Sequence, residues 1–437
     1  MDEINKTLTK KITLTSLFIL NILIILGFWY FNNQSMLTGD SLYNALGRIT
    51  GLIGTYLFLI QILLISKIKF IENTYGHDKL SRIHHYNGII AFGLLFLHGL
   101  FLTIGYKLIS NISFLSQLLK FVGGDEIGAA VLAFVILIII IILSITLSKI
   151  KMKYELWYLT HLFTYLVIIL AFSHQIENGM DLYSNNAFLV YWYILYIIII
   201  GLLVVYRFLF PIYNYYIHRF VVSRVVKENQ DIVSIYIRGN KLNRFKFKAG
   251  QFGIFRFIDK TFYEAHPFSF SRAHSEIELR ISIKNLGDFT SKIHEIKRGT
   301  PIIIEGPLGT FHKDRIKHKN IVLIAGGIGI TPIRSLIEEL TLDPSREITL
   351  IYSVKDDKDI VFREELNSLK EKNHNHYYHS SNKYGHLTED KLRNVILNPT
   401  TTDFFVCGPP GMTNHIIKLL KRMGVSKKRI HHEKFSF

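Results

Sequence analysis

Four histidines lie inside strongly apolar stretches of the sequence: His84 and His98 in "RIHHYNGIIAFGLLFLHG" (82–99), and His161 and His174 in "LWYLTHLFTYLVIILAFSH" (156–174). An ionisable ring in hydrocarbon is costly and calls for a partner. A single such histidine serves as an interhelical hydrogen-bonding group or as a step in a proton relay. Two that face two others at equal depth offer paired nitrogen donors to a metal. The first pair is 14 residues apart, which on a helix returns to within about 40° of the same face, about 21 Å further along the axis. The second pair is 13 apart, roughly 140° out of register on an ideal helix. That helix must bend, carry a π-bulge or use different rotamers for both rings to meet one neighbour. His85 is the competing donor beside His84; the spacing of 14 rather than 13 to His98 favours His84. His77 falls in a connecting loop, where a solvated ring is expected.

These rings need helices to hold them. Six apolar runs, at 12–31, 44–66, 83–106, 127–148, 155–173 and 187–209, are near the roughly 20 residues that a bilayer core requires. No small-residue cleavage site follows the first run, so a retained span is expected rather than a signal peptide. The net charge of the 437-residue chain is +17, and where the bases sit matters more than their number. Lys6, Lys10 and Lys11 precede the first span, Lys67, Lys69, Lys79 and Arg82 join the second to the third, and Lys149, Lys151 and Lys153 join the fourth to the fifth. The alternate connections carry only Lys107 and Lys120. By the positive-inside rule both termini, and everything beyond residue 210, lie in the cytoplasm of a multi-pass cell-membrane protein. The basic excess then reports topology and attraction to anionic lipid, not nucleic acid. Spans three and five both run outward, which puts His84 and His161 near the inner face and His98 and His174 near the outer one. Two stacked pairs in a core about 30 Å thick fit two haems, each held by two axial imidazoles.

The two histidine segments resemble the third and fifth helices of the ferric-reductase-like transmembrane domain shared by NADPH oxidases and ferric reductases. The resemblance implies bis-histidine b haems and makes the 13-residue spacing on the fifth helix an ordinary one. It also implies a place for Arg48, in "NALGRITGLIG", near the outer haem where oxygen is reduced. Taken alone, Arg48 reads equally as an interfacial side chain that snorkels.

After residue 213 the pattern changes. Short β-rich runs, "RFVVSRVV", "DIVSIYIRG", "QFGIFRF", "ELRISIKN" and "PIIIEGPLG", point to a small antiparallel barrel over 214–316. Within it "HPFSFSRA" combines a restricted His266-Pro267 step, the flat face of Phe268 and the hydroxyl of Ser269, which suits a planar ring with a polar edge. Its order with "AGQFGIF", "LRISIKNLGDFTSKI" and "IEGPLGTF" resembles the FAD-binding domain of the ferredoxin-NADP reductase superfamily, in its NADPH oxidase and ferric reductase branch. That resemblance places His266, Pro267, Phe268 and Ser269 along the isoalloxazine and ribityl chain, and Lys284 and Thr290 at the pyrophosphate, where donors and positive charge are needed.

From 317 to 437 the runs "NIVLIAGG", "PIRSLIEELTL", "EITLIYSV", "DFFVCG" and "HIIKLLKRMG" alternate between strand and helix, the pattern of a doubly wound α/β domain. Gly326, Gly327 and Gly329 form a turn that lets backbone approach a phosphate at a helix N-terminus, with Thr331 as N-cap and Pro332 opening the helix. Strand position makes "DFFVCGPPGM" a ligand-edge segment; Cys407 alone would read as a small buried hydrophobe. With Gly408, Pro409 and Pro410 it resembles the nicotinamide-side motif of the superfamily. The resemblance also gives the C-terminal Phe437 the role of an aromatic that stacks on the flavin and moves aside for nicotinamide. Ser353 and Lys355 after the second strand suit the 2′-phosphate of NADPH, while Asp356 and Asp357 oppose it and keep NADH open.

The expected whole is a six-helix transmembrane domain over 1–213 followed by a ferredoxin-NADP reductase-like module. Its expected activity is transfer of electrons from cytoplasmic NAD(P)H, through FAD and two b haems, to an outer acceptor, with oxygen giving superoxide. A ferric or cupric chelate reductase is the alternative; short outer connections poor in histidine and acidic clusters favour a small diffusible acceptor. A histidine-lined metal or proton transporter with a nucleotide-sensing domain is the alternative of another class. One cysteine excludes an intrachain disulfide and a cysteine-based metal site. No EF-hand-like loop, SH3-like segment or proline-rich segment is visible, so activity without calcium or an obligatory protein activator is expected.

Overall fold

The computed structural model describes residues 2–124, 127–147, 154–371 and 373–434. Lys149, Lys151, Lys153 and Phe437 lie outside the described residues. Long apolar runs without proline satisfy their backbone internally, as hydrocarbon demands, and form α1 (Asp2–Asn33), α2 (Leu42–Ile65), the short α3 (Lys69–Tyr75), α4 (His77–Ser110), α5 (Phe114–Val122), α6 (Gly128–Leu147), α7 (Tyr154–Asn178), the short α8 (Met180–Tyr183) and α9 (Asn186–Leu203). A π-helical turn, Val204–Leu209, carries α9 into α10 (Phe210–His218). Among the described residues six helices are long and apolar enough to cross a membrane, so the chain is a multi-pass membrane protein. His77 is not in a loop: it opens α4, and its Nδ1 lies 2.9 Å from Glu72 Oε1. The helix starts earlier than hydropathy alone indicates because its first turn is polar.

The chain divides into two compact units, one made of Ile12–Ile65 and Ile83–Leu203, the other joining the segment up to Lys11 and Ser66–Arg82 to the chain from Val204 onward. In the first, Trp192, Phe188, Tyr56 and Ile25 form a buried centre. Gly47, Gly51 and Gly54 make a bare stripe on α2, where a β-carbon would run into Leu102, His98 and Leu95 of α4. Small residues at such spacing allow close helix contact in lipid.

In the second unit the six strands β1 (Val221–Lys227), β2 (Ile232–Arg238), β3 (Phe252–Phe257), β4 (Ala265–Ser269), β5 (Leu279–Lys284) and β6 (Ile302–Leu308) form two antiparallel sheets, ordered β1-β2-β5 and β4-β3-β6. Their inward residues, among them Phe255, Phe257, Phe270 and Ile281, make one core. A short helix, α11 (Asp288–Lys292), follows β5. Then come β7 (Asn320–Gly326), α12 (Ile330–Leu340), β8 (Glu347–Val354), β9 (His374–Ser380), β10 (Thr402–Gly408) and β11 (Ile430–Lys434). The last five strands form one parallel sheet, ordered β11-β10-β7-β8-β9. Apolar cores cover both faces: α12 supplies Ile333, Leu336 and Ile337 to one, and helix Pro410–Arg422 supplies Ile416 and Leu420 to the other. The order reverses between β7 and β10, the switch point at which such sheets bind ligands. Barrel and sheet are tied by a buried charge cluster: Arg280 reaches Glu365 with two bonds of 2.7 and 3.0 Å, and Arg334 Nε lies 2.9 Å from the same carboxylate.

Candidate functional site

In the membrane unit α4 and α7 bring the four histidines together as two pairs. The rings of His84 and His161 are centred 6.1 Å apart at 61°, and those of His98 and His174 6.5 Å apart at 63°. A metal bonded to one nitrogen of each ring at about 2 Å would hold two opposed imidazole centres roughly 6 Å apart, so both gaps suit one bridging ion. Among the described residues no group of three or more His, Cys, Asp or Glu is placed to hold a metal. Each pair therefore offers two imidazole donors. His85 is exposed, its ring against Tyr86, and does not face His161. No π turn interrupts α7 between His161 and His174, yet both rings lie within 6.5 Å of a ring on α4.

His98 is fixed further. Its Nδ1 donates to the Gly47 carbonyl at 2.7 Å, which leaves Nε2 as the free donor. Gly51 clears the space beside this ring. The Nδ1 atoms of His84, His161 and His174 are buried without a partner, and Trp157 stacks on His161 at 5.2 Å. Gly47 and Gly51 escaped the sequence reading, although "GRITG" carries the small-xxx-small signal. Arg48, on the same turn of α2, donates to Asn33 Oδ1 at 3.1 Å and contacts Met180 Sδ at 2.8 Å. Asn33 in turn donates to the buried Asp181, whose carboxyl is pushed up by burial against the pull of Arg48.

In the barrel, β4 carries "HPFS" and pairs with β3 so that Ser269, Phe268, Pro267 and His266 oppose Phe252, Gly253, Ile254 and Phe255. Ser269 Oγ is buried with no partner, an orphan that a ligand hydroxyl or ring nitrogen would satisfy. Phe268 is half-buried, and His266 lies 3.1 Å from Glu264. Phe289 of α11 sits 4.1 Å from the His266 ring and stacks near Phe268, so α11 is held beside the motif. The hydroxyl of Thr290 accepts from the backbone N–H of Leu286 and Gly287 at 2.8 and 3.0 Å; it shapes this turn. Lys284 ends β5, half-buried.

At the edge of the parallel sheet, Gly326 lies between Ser353 of β8 and the end of β10. The glycines divide their roles. Gly327 has φ +51 and open space around it, while a β-carbon on Gly329 would collide with the Cys407 carbonyl, and one on Gly408 would lie 3.0 Å from Gly326 Cα. Only the first suits direct approach to a ligand; the others let β7 and β10 meet. Thr331 is not an N-cap. Gly327–Gly329 is itself a 3-10 turn that runs into α12 at Ile330, so Thr331 lies inside the helix, donating to the Ile328 carbonyl at 3.0 Å. For the same reason Pro332 does not open α12; Pro410 does open the helix after Pro409. Lys355 is exposed, and Asp356 accepts from Asn382 at 2.9 Å.

Cys407 is wholly buried, and burial pushes its thiol up, which keeps it a thiol rather than a nucleophile. Glu433 stands opposite it in the β10–β11 register. Burial, with the Asp78 and Glu72 charges nearby, holds the Glu433 carboxyl well above the usual range, and its Oε2 has no partner. This neutral acid was missed: one glutamate near a chain end gives no signal until β11 brings it inward.

Comparison with known families matches residues 50–172 to the ferric reductase like transmembrane component, 217–316 to an FAD-binding domain, and 323–418 to the oxidoreductase NAD-binding domain. This is the architecture of ferric reductase and NADPH oxidase-like proteins. The chain accordingly joins a ferric reductase like transmembrane component to an FAD-binding domain and an oxidoreductase NAD-binding domain. Among curated proteins it is 26% identical to the flavohemoprotein of Bacillus subtilis over 49% of this chain and 58% of that one. It is 31% identical to NADH-cytochrome b5 reductase 2 of Neurospora crassa over 34% of this chain and 48% of that one. The chain thus spans about half the length of the curated relatives it matches. A ferredoxin NADP+ reductase of Neisseria gonorrhoeae is a solved structure with similarity: TM-score 0.45 and 20% identity, covering 50% of this chain and 99% of that one.

Proposed function

We propose that this ferric reductase and NADPH oxidase-like protein moves electrons from cytoplasmic NAD(P)H across the membrane to oxygen, giving superoxide on the outer face. The domains are a transmembrane part over 1–213, an FAD barrel over 214–316 and a nucleotide domain over 317–437. The observation that carries the reading is the pair of histidine gaps at 6.1 and 6.5 Å, each the width of one bis-imidazole metal. His84 with His161, and His98 with His174, would hold two b haems, and the Gly47 carbonyl would fix the His98 tautomer. Ser269, Phe268, Pro267 and His266 would seat the flavin, with Lys284 and the turn shaped by Thr290 at its pyrophosphate. Gly327 would admit the dinucleotide phosphates, Ser353 would flank the ribose, and Cys407 with Gly408, Pro409 and Pro410 would wall the nicotinamide side. When bound, FAD takes two electrons as hydride and passes them on singly, and haem iron carries one at a time. The protein's own part is to order these groups and keep water out.

The direction follows from basic residues on the connections assigned to the cytoplasm. The first test is the absorption spectrum of detergent-solubilised protein before and after dithionite: reduced b-type bands are expected. Their absence would leave the transporter reading, though two donors per pair make a poor transport site for a free ion. Superoxide-dismutase-sensitive cytochrome c reduction, compared with ferric chelate reduction under argon, separates oxygen from a chelate as acceptor.

A further inference from the structure

A buried ion cluster stands where the connection between α2 and α4 meets the flavin barrel. Lys67 Nζ bonds Glu305 of β6, and Arg207 on the π turn reaches the same oxygen at 3.2 Å. Their side chains are only 13%, 17% and 22% exposed for Lys67, Glu305 and Arg207. Lys67 holds a left-handed backbone, φ +55, two residues after α2 ends, a conformation that costs a non-glycine residue about 1 kcal/mol or more and persists only where its surroundings impose it. Buried ion pairs are a weak source of stability, and their best-attested use is to fix geometry.

The geometry in question leads to the flavin motif. Glu305 pairs across the sheet with Ile254, and Ile254 pairs with Pro267, so one row of cross-strand neighbours runs from the ion cluster to "HPFS". The connection is seated on the barrel at further points. Arg315 donates to the Asn73 carbonyl at 3.5 Å, a β-carbon on Gly76 would lie 3.0 Å from Thr310 Oγ1, and the His77 ring is 6.0 Å from that of Phe252. His77 then opens α4, the helix that carries His84 seven residues later. π turns such as the one bearing Arg207 recur at functional sites.

We propose that Lys67, Arg207 and Glu305 are positioning residues that set the rate at which electrons leave the flavin site for the His84–His161 pair. The inference rests on the function proposed above. With the cofactors bound, hydride from NAD(P)H would supply two electrons to the flavin; these would leave singly, each reducing one ferric haem to ferrous, while the proton of the hydride would pass to the cytoplasmic solvent. None of the three is among the residues proposed to hold nucleotide or metal, so loss of the clamp acts on the second transfer and spares the first.

The test uses the full-length detergent-solubilised protein mixed with NADH under argon in a stopped-flow instrument, with flavin bleaching and haem reduction followed separately. In Glu305→Gln, flavin reduction and the dithionite spectrum stay as in the wild type, while haem reduction slows about tenfold to a hundredfold, the range for a misplacement near 1 Å. Hydrogen–deuterium exchange at 66–76 and 302–308 rises in the same variant, with or without cofactors. Wild-type haem reduction and unchanged exchange overturn the proposal. Where Glu305→Gln fails to accumulate, Lys67→Met and Lys67→Arg decide: Met is slow and Arg near normal if the clamp acts through charge, and equal rates overturn it. A wild-type protein without b-type bands removes the functional reading and this inference with it, whereas a wild type that reduces its haem beside unaffected variants removes only the inference.

Discussion

Replacing Gly51 by alanine adds one carbon, and the structure says where it goes. The new β-carbon would overlap His98 Nδ1 and lie 2.8 Å from Cε1 and 3.1 Å from Cγ. Ordinary contact begins near 3.4 Å, so the ring must retreat by roughly half an ångström to one ångström, an adjustment that overpacked sites make at about 1–3 kcal/mol. Metal–imidazole bonds tolerate only about 0.2 Å, and the same shift strains the 2.7 Å bond to the Gly47 carbonyl. The helices should survive while the outer metal site fails. Haem extracted as its pyridine complex and counted against protein should fall from two per chain to one, with the inner pair intact. Gly27→Ala, whose β-carbon meets nothing within 4 Å, is the control and should keep two. Two haems with unaltered low-spin spectra in Gly51→Ala would refute the assignment of His98.

Other consequences follow from single contacts. Ser269→Ala removes the orphaned hydroxyl and should weaken FAD binding about tenfold, the worth of one hydrogen bond near 1.5 kcal/mol, in a flavin fluorescence titration; an unchanged affinity would place the ligand elsewhere. Glu365→Ala removes the carboxylate shared by the buried Arg280 and Arg334 and leaves them Ser271, Tyr236 and Glu338, so it should cost about 1–3 kcal/mol, read as a fall of several degrees in the thermal midpoint; no fall would mean the cluster is not holding barrel to sheet. Burial pushes Lys67 down to about 8, while Lys67 and Arg207 overcome the effect of burial on Glu305 and hold its carboxyl below the usual range. Glu305, Arg207 and Glu72 face Lys67, and Arg256 also faces Glu305. The cluster is therefore charged at pH 7 and loses the lysine proton above about pH 8. Haem reduction by NADH should decline through that pH while flavin reduction does not. The fold itself gains between about 8 and 10.5, because the unfolded chain then binds more protons. A haem step independent of pH in Lys67→Arg would agree, and an identical decline there would not.

Much of this was legible from spacing. His84 with His98, and His161 with His174, announced two rods, and the rings lie 6.1 Å apart for His84 and His161 and 6.5 Å apart for His98 and His174. Central strands read clearly because both faces are buried and their runs, such as "IVLIAGG" and "DFFVCG", are continuous. Edge strands did not: β9 reads "HNHYYHS" and β11 "IHHEK", too polar to show a run, since each pairs on one side only. Thr331 was misplaced because a glycine turn that is already helical erases the usual capping boundary. The ion cluster of Lys67, Arg207 and Glu305 was invisible because its members are 238 and 98 residues apart and each reads alone as an ordinary surface charge. Gly51 was hidden for another reason: a missing side chain matters only once the ring that fills its space is known.

The central claim is that α4 and α7 hold two iron porphyrins one above the other. The direct measurement is haem per polypeptide in the purified wild type and in His84→Ala and His98→Ala. The account predicts two in the wild type and one in each variant, with NADH reducing the remaining haem under argon in His98→Ala but not in His84→Ala. Zero or one in the wild type, or two in either variant, would contradict it.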